Sequence, residues 1–191
     1  MSRLRGISPL VQVDVVADIF EGAETLPLWE EFDFEFDLFV EPAPFVARAL
    51  ELGASRVVVH ERFQSAKEAL GQLQNTRTGD FAVAVGLGLR AGDSPHTTEP
   101  YAGLFDYVQV MGIRQEGEQG HPPAPEAVEL VSALRAAYPE MVIQVDGAVA
   151  PRAKEFREAG ADRLVIGSAI VKADDPKGAY KDLYNRANGA Q

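Results

Sequence analysis

The chain has 191 residues, 46% of them hydrophobic, and a formal net charge of -11 at pH 7, so we expect a single domain over residues 1–191. The acidic charge disfavours binding to nucleic acid or to an anionic membrane surface, and no apolar stretch approaches the roughly 18 residues of a membrane span. The chain contains no cysteine, which excludes disulfides and thiolate chemistry and, with no hydrophobic signal at the N-terminus, predicts a cytoplasmic protein.

Short runs of strand-forming residues alternate with helical patterns along the chain. The predicted strands are Leu10 to Val16, Phe34 to Val40, Arg56 to His60, Phe81 to Gly86, Tyr107 to Gly112, Val142 to Asp146 and Arg163 to Ile166. The predicted helices are Ala43 to Leu52, Ser65 to Gln74, Pro125 to Ala137, Pro151 to Ala159 and Pro176 to Ala187. Continuous apolar strands joined by helices predict an α/β fold with a parallel sheet and right-handed crossovers.

Three aspartates stand in or directly after apolar strand patterns. Asp14 follows LVQV, Asp37 lies within EFDLFV, and Asp146 follows VIQV. Burial of a carboxylate is unfavourable unless it is paired, bound to a metal or lines a wet cavity. A structural ion pair or a helix cap would explain any one of them, but three at equivalent strand positions favour a functional site at the carboxyl ends of the strands.

Glycines follow the last two predicted strands. Gly147 and Ala148 come after Asp146, and Gly167 and Ser168 come after the final strand. Their backbone N–H groups, with a helix N-terminus behind them, are suited to an anion such as phosphate. Turn chemistry alone would explain a single such glycine.

A long glycine-containing loop is predicted from Met111 to Pro123. Gly117 and Gly120 lie within it, and long loops in compact domains are usually functional or disordered. Its Glu116 and Glu118 would oppose a phosphate, so the pattern favours closure over a ligand without fixing the ligand's charge.

One histidine, His60, ends the apolar run RVVVH. It is interpreted equally well as a hydrogen-bonded core residue and as a ligand or acid/base group. The chain has no closely spaced histidine pair, no Walker sequence and no dinucleotide-binding glycine pattern.

The segment from Phe105 to about Leu183 resembles ribulose-phosphate 3-epimerases. It contains YVQVMGI, a glycine-rich loop, the helix PEAVELVSALRAAYP, and then VDG, EAGAD and GSAI in the order of that family. Upstream, FDLFVEPAPFVARALELGASRVVVH is similar to the family's third and fourth units, and LVQVDVV to its second strand. The resemblance implies a TIM-barrel-like parallel (β/α) barrel of the ribulose-phosphate-binding type, and we expect its first β/α unit to be absent.

The family interconverts ribulose 5-phosphate and xylulose 5-phosphate through an enediolate, usually with a divalent metal. The resemblance implies that Asp14 and Asp146 are the two catalytic acid/base groups, one on each face of the substrate carbon. It implies Asp14, Asp37 and Asp146 as metal ligands, because Gln12 and Asp37 replace two metal-binding histidines of the family. Three carboxylates suit Mn²⁺ or Mg²⁺ better than Zn²⁺ or Fe²⁺, and the loss of the histidines leaves open that no metal binds.

Substrate and phosphate binding are implied for a further set of residues, namely Met111, Gly117, Gly120, Gly147, Ala148, Gly167 and Ser168. The expected partner is a small phosphorylated sugar, and strand edges left unpaired by the absent first unit favour a homo-oligomer. Two alternatives stay open. One is a non-catalytic relative that binds a phosphorylated metabolite or a protein partner, and the other is a different sugar-phosphate isomerase or lyase on the same barrel.

Overall fold

The computed structural model describes residues 2–16, 31–76, 82–114 and 122–189. Within these ranges seven strands form one sheet in the order β1 to β7. The strands are β1 (Leu10–Val15), β2 (Asp33–Leu38), β3 (Arg56–His60), β4 (Ala84–Leu89), β5 (Tyr107–Met111), β6 (Val142–Asp146) and β7 (Arg163–Leu164). The α-helices are α1 (Val46–Glu51), α2 (Ala66–Asn75), α3 (Glu126–Ala137), α4 (Ala153–Ala159), α5 (Ser168–Val171) and α6 (Pro176–Asn188). Short 3-10 helices lie at Ser2–Leu4, Ala43–Phe45, Pro95–Tyr101 and Ala150–Arg152.

The strand pairing confirms the predicted parallel α/β fold. β1 pairs in parallel with β2, β2 with β3, β3 with β4, and β6 with β7. Parallel neighbours require a crossover connection, and the helices between the strands fit that requirement. β3 and β6 have the predicted bounds, and β1, β2, β5 and β7 differ from theirs by one or two residues. In the described part of the chain no helix is long and apolar enough to span a membrane.

The predicted position of the fourth strand is wrong. The pattern places it from Phe81 to Gly86 and predicts loop from Gly86 to Leu104, whereas β4 runs from Ala84 to Leu89. Part of the predicted loop is instead the 3-10 helix at Pro95–Tyr101. Phe81 lies outside the described residues.

Close packing explains the glycines in β4. A Cβ atom on Gly86 would lie 2.6 Å from Cε2 of Tyr107, and one on Gly88 would lie 2.5 Å from Nδ1 of His60. Glycine inside a strand often marks such a close approach. Gly86 and Gly88 leave space for side chains that are distant in the sequence. Because local sequence does not show this packing, the two glycines were interpreted as part of a loop.

The chain divides into two compact units, with the boundary inside β5. One unit comprises Pro9–Leu89 and His96–Val108, and it contains β1 to β4 with helices α1 and α2. The buried face of α2 consists of residues at helical spacing that have no exposed surface, Ala66, Ala69, Leu70 and Leu73. The helix packs against β3 and β4.

A buried glutamate lies in the same unit. Glu35 of β2 has no exposed surface, and the Tyr107 hydroxyl donates a hydrogen bond to its Oε2 at 2.6 Å. Burial, followed by the charge of Glu35 and this hydrogen bond, raises the pKa of the Tyr107 hydroxyl well above its ordinary value. Tyr107 therefore donates to Glu35 as a neutral phenol.

The other unit comprises Met1–Ser8, Arg90–Pro95 and Gln109–Gln191. Arg135 of α3 links the helices of this unit to its strands. The guanidinium donates to the Gly160 carbonyl at 2.9 Å and to Oδ2 of Asp162 at 2.5 Å. The same Asp162 oxygen accepts the backbone N–H of Ile143 in β6 at 2.8 Å. This network fixes the end of α4 beside the strand that ends in Asp146.

Replacing a packed glycine should have the opposite effect to replacing an open one. We expect Gly86→Ala to lower the free energy of unfolding by about 1–3 kcal/mol, because the added methyl group overlaps the buried Tyr107 ring. The control is Gly71→Ala in α2, where a Cβ meets nothing within 4 Å. It should raise the free energy of unfolding by about 0.5–1 kcal/mol. Urea unfolding followed by circular dichroism measures both, and equal effects would contradict the packing role of Gly86.

Candidate active site

Two of the three aspartates singled out by the sequence lie side by side on neighbouring strands. Asp14 and Asp37 are the next-to-last residues of β1 and β2, and they are partners in the parallel register. Asp14 is exposed, whereas Asp37 has no exposed surface. Because they share one face and one end of the sheet, their carboxylates face the same small volume.

Hydrogen-bond donors contact both oxygens of the buried carboxylate. Nε2 of His60 lies 2.6 Å from Oδ1 of Asp37. The Gln12 amide donates to Oδ2 of Asp37 at 3.4 Å and to Oδ1 of Asp14 at 3.5 Å. The short contact holds Asp37 firmly, and the long contacts of Gln12 bridge the two carboxylates weakly.

The pKa of Asp14 is raised above its ordinary value. Desolvation by the surrounding atoms is the largest cause, and repulsion from Asp37 adds to it. The hydrogen bond from Gln12 and the proximity of His60 act in the opposite direction. Although Asp14 reaches solvent, its crowded position makes the carboxylate a better proton acceptor than an isolated aspartate.

Asp146 ends β6 at a tight, strained turn. Its carbonyl accepts the backbone N–H of Gly112 at 2.6 Å, and a Cβ on Gly112 would collide with the Gly147 carbonyl oxygen. Gly147 and Ala148 follow with φ of 91° and 48°. Within the described residues Ala148 is the one non-glycine residue with positive φ. Such a conformation is unfavourable for alanine, and strain of this kind is concentrated at functional sites.

The remaining predicted substrate contacts differ in exposure. Gly167 and Ser168 are exposed at the start of α5, and a Cβ on Gly167 would meet nothing within 4 Å. Met111 ends β5 and is 1% exposed. Gly117 and Gly120 lie outside the described residues. There is therefore open space beside Gly167, whereas Met111 is buried.

Gln12 and His60 both contact the candidate aspartates, but the sequence assigned neither of them a role in the site. Gln12 was notable only as the replacement for a family histidine, and His60 could equally have been a core residue. A period-two pattern puts Gln12 on the same face as Asp14, so that signal was available. The partner of His60 lies on another strand and required the structure.

The loops that follow β2 and β3 are joined by a glutamate. Glu41 Oε2 accepts the N–H and hydroxyl of Ser65 at 3.1 and 2.8 Å, and its Oε1 accepts the N–H of Gln64 at 3.3 Å. These bonds, led by the Ser65 N–H, lower the pKa of the Glu41 carboxyl. They fix the two loops next to the Asp37 and His60 strand ends.

Parallel strands with acidic side chains at their carboxyl ends place the protein in the class of (β/α)-barrel enzymes. The model of the ribulose-phosphate 3 epimerase family matches residues 16–171. The chain therefore belongs to the ribulose-phosphate 3-epimerase family, which consists of isomerases. The match includes Asp37 and Asp146 and begins two residues after Asp14.

Curated relatives agree with this family. The ribulose-phosphate 3-epimerase of Schizosaccharomyces pombe is 28% identical over 165 residues, which cover 85% of this chain and 70% of that protein. That of Mycobacterium leprae is 28% identical over 145 residues, covering 72% and 61%. A cytoplasmic isoform from Oryza sativa is 32% identical over 114 residues, covering 54% and 50%. The matched segments thus span between half and 70% of the length of these relatives.

Solved structures confirm the TIM-barrel-like fold. Orotidine 5'-phosphate decarboxylase from Pyrococcus horikoshii is similar with a TM-score of 0.68 and 18% identity, covering 98% of this chain and 90% of that one. 3-Hexulose-6-phosphate synthase from Salmonella typhimurium has a TM-score of 0.63 and 17% identity, covering 84% and 75%. At such identities the likeness concerns the fold alone.

The stabilisation by Glu41 should depend on pH. Its pKa is lower in the folded than in the unfolded chain, so its contribution is present above the unfolded pKa and is lost as pH falls through the folded one. Glu41→Gln should therefore lower the thermal unfolding midpoint at pH 7, and the difference from the parent should shrink in acid. Glu140→Gln, at an exposed glutamate, is the control. A Glu41→Gln difference that stays constant from pH 7 to strongly acidic pH would contradict the role of these hydrogen bonds.

Proposed function

We propose that the protein is an epimerase of a ketopentose phosphate that interconverts ribulose 5-phosphate and xylulose 5-phosphate through an enediolate. The family match over residues 16–171 carries this proposal. The position of Asp14 and Asp37 at strand carboxyl ends supports it, because this is where barrel enzymes have their active sites. The substrate is then a small phosphorylated sugar.

In the proposed mechanism, Asp14 and Asp146 act as the two acid/base groups. Epimerisation removes the proton next to a carbonyl and returns a proton to the opposite face, so two groups must flank the carbon. The raised pKa of Asp14 supports its assignment, because a carboxylate that holds a proton more tightly abstracts one more readily. Asp146 would serve the other face and exchange roles with Asp14 in the reverse reaction.

A divalent cation is the cofactor that the family uses, and the acidic residues fit it. Asp14 and Asp37, which are partners in the parallel register of β1 and β2, would supply carboxylate oxygens, and Asp146 is the third proposed ligand. A set of oxygen ligands suits Mg²⁺ or Mn²⁺ better than Zn²⁺ or Fe²⁺. When bound, such a cation would supply positive charge for the developing enediolate oxygen.

Binding of the substrate phosphate is assigned to the turns after β6 and β7. The N–H groups of Gly147, Ala148, Gly167 and Ser168 are the proposed donors. The left-handed backbone at Gly147 and Ala148 supports this role, since it redirects successive N–H groups at a turn. Three further residues complete the proposed substrate contacts, Met111, Gly117 and Gly120. Assembly into a homo-oligomer and a cytoplasmic location stay predictions.

Asp14→Asn and Asp146→Asn should each lower kcat by about 10²- to 10⁴-fold, because an amide cannot transfer the proton. A coupled assay for xylulose 5-phosphate and deuterium incorporation from D₂O measure the loss. Asp182→Asn, on the exposed face of α6, should keep the parent rate. Turnover near the parent rate in either active-site variant would contradict the two-aspartate mechanism.

Removal of divalent metal should abolish turnover, and Mn²⁺ or Mg²⁺ should restore it. Treatment with a chelator, dialysis and re-addition of each cation tests this in the same coupled assay. Thermal stabilisation by ribulose 5-phosphate without turnover in any cation would favour the alternative of a non-catalytic binding protein. Deuterium exchange with a different ketose phosphate, and none with ribulose 5-phosphate, would favour another isomerase on this barrel.

A further inference from the structure

The segment that follows β5 is fastened to the turn that follows β6. The backbone N–H of Gly112 donates to the Asp146 carbonyl at 2.6 Å. A Cβ on Gly147 would lie 3.0 Å from Cγ1 of Ile113, so the Ile113 side chain lies against this turn. Arg114 is the next residue along the chain. Its backbone is therefore held beside the turn to which the substrate phosphate is assigned.

The Arg114 side chain ends in a surface ion pair. Its Nε donates to Oε1 of Glu126 at 2.5 Å, and its Nη2 donates to Oε2 at 3.0 Å. The Arg114 side chain is 71% exposed and that of Glu126 is 27% exposed. A guanidinium binds a phosphate with the same two-pronged geometry with which it binds a carboxylate. Because exposed ion pairs contribute little to stability, this one can be exchanged for a ligand at small cost.

A second guanidinium near the same turn has a structural role. Arg152 is 17% exposed, and its Nη1 donates to the Ala124 carbonyl at 2.9 Å. Its Nε donates to Oε2 of Glu155 at 2.9 Å, and its guanidinium carbon lies 5.4 Å from the centre of the Phe156 ring. These contacts hold Arg152 in the packed structure. Of the two guanidinium groups, that of Arg114 is the one open to a ligand.

The charge of a sugar phosphate calls for a cation at this site. A phosphate monoester carries roughly 1.5 to 2 negative charges at pH 7, whereas the backbone N–H groups assigned to it are uncharged. The chain has a net charge of -11, and Asp146 ends the strand that leads into the turn. A guanidinium compensates this repulsion and matches the geometry of the phosphate oxygens.

We propose that Arg114 recognises the substrate phosphate, and that its guanidinium leaves Glu126 to bind the phosphate oxygens in the same two-pronged manner. The inference rests on the proposed function, because that function places the phosphate at the turn after β6. The hydrogen bond from Arg114 lowers the pKa of the Glu126 carboxyl, so Glu126 is ionised at neutral pH and competes with the phosphate. Arg114 then favours a phosphorylated sugar over the free sugar, and Glu126 weakens phosphate binding.

The two members of the ion pair should have opposite effects on phosphate binding. Titration calorimetry with inorganic phosphate and the KM for ribulose 5-phosphate measure this on the full-length chain. Arg114→Gln removes charge-assisted hydrogen bonds and should raise both constants by about 10-fold, with a much smaller change in kcat. Glu126→Gln frees Arg114 and should lower both constants by about 2- to 5-fold. A pair with only a structural role is broken equally by both substitutions, so a shift of both variants in the same direction would overturn the proposal.

Matched variants separate this effect from a general change in charge. Glu129→Gln lies one turn further along α3, and Arg186→Gln lies on the exposed face of α6. They change the net charge as Glu126→Gln and Arg114→Gln do, and both should leave phosphate binding unchanged. Arg114→Lys keeps the charge but loses the planar fork, so its KM should lie between those of the parent and Arg114→Gln. Weaker phosphate binding in Arg186→Gln, equal to that in Arg114→Gln, would contradict a specific role of Arg114.

The unphosphorylated sugar ribulose provides the second readout. Deuterium incorporation into ribulose should be equally slow in the parent and in Arg114→Gln, because the lost contact is to the phosphate alone. Phosphate binding that depends on Arg114, in a chain that does not turn over ribulose 5-phosphate, would uphold Arg114 and overturn the epimerase. Turnover with a KM that does not depend on Arg114 would overturn the role of Arg114 and leave the epimerase standing.

Glu126→Gln tests the proposal independently if Arg114→Gln does not fold. It retains the guanidinium, and phosphate binding that is unchanged or weaker in this variant would overturn the competition between Glu126 and the phosphate. A parent chain that binds neither inorganic phosphate nor ribulose 5-phosphate would overturn both this inference and the proposed function.

Discussion

The buried charge of Asp37 is the constraint on which the candidate site depends. A carboxylate inside a parallel sheet carries a desolvation penalty of several kcal/mol unless donors compensate it. Here His60 supplies a short bond to one oxygen, and Gln12 supplies a long bond to the other. The short bond holds the carboxylate against His60, and the long bonds of Gln12 link it to Asp14.

The same arrangement recurs two residues earlier in β2. Glu35 is fully buried and accepts the hydroxyl of Tyr107, whose ring occupies the space left by Gly86. For the next acidic residue of β2 the donor is His60, and the space is left by Gly88. The alternating acids of β2 are therefore matched by the alternating glycines of β4. The strands DFEFDL and AVGLGL are therefore structurally coupled. Each buried acid of β2 bonds to a large ring side chain, and a glycine of β4 leaves the space that this ring occupies.

The packing between β2, β4 and their donor side chains separates what could be predicted from the sequence from what could not. β3 and β6 are apolar runs with clear ends, and their bounds were predicted correctly. β4 was misplaced because its glycines have no local explanation in the strand, only a distant one in two aromatic side chains. Asp14 and Asp37 stood out because a carboxylate in an apolar strand needs a partner. The identity of that partner depended on strand order and register, which local patterns do not contain. The left-handed backbone at Ala148 was equally hidden, since alanine rarely adopts it.

The hydrogen bond between His60 and Asp37 helps to explain the departures from the family pattern. The resemblance implies histidines where this chain has Gln12 and Asp37, and on that basis the site has lost its imidazole ligands. In the structure an imidazole does contact Asp37, because His60 on the next strand bonds to it. An imidazole in this position holds the Asp37 carboxylate. With Asp37 in place of a histidine, the proposed ligand set consists of carboxylate oxygens, and such a set suits harder cations.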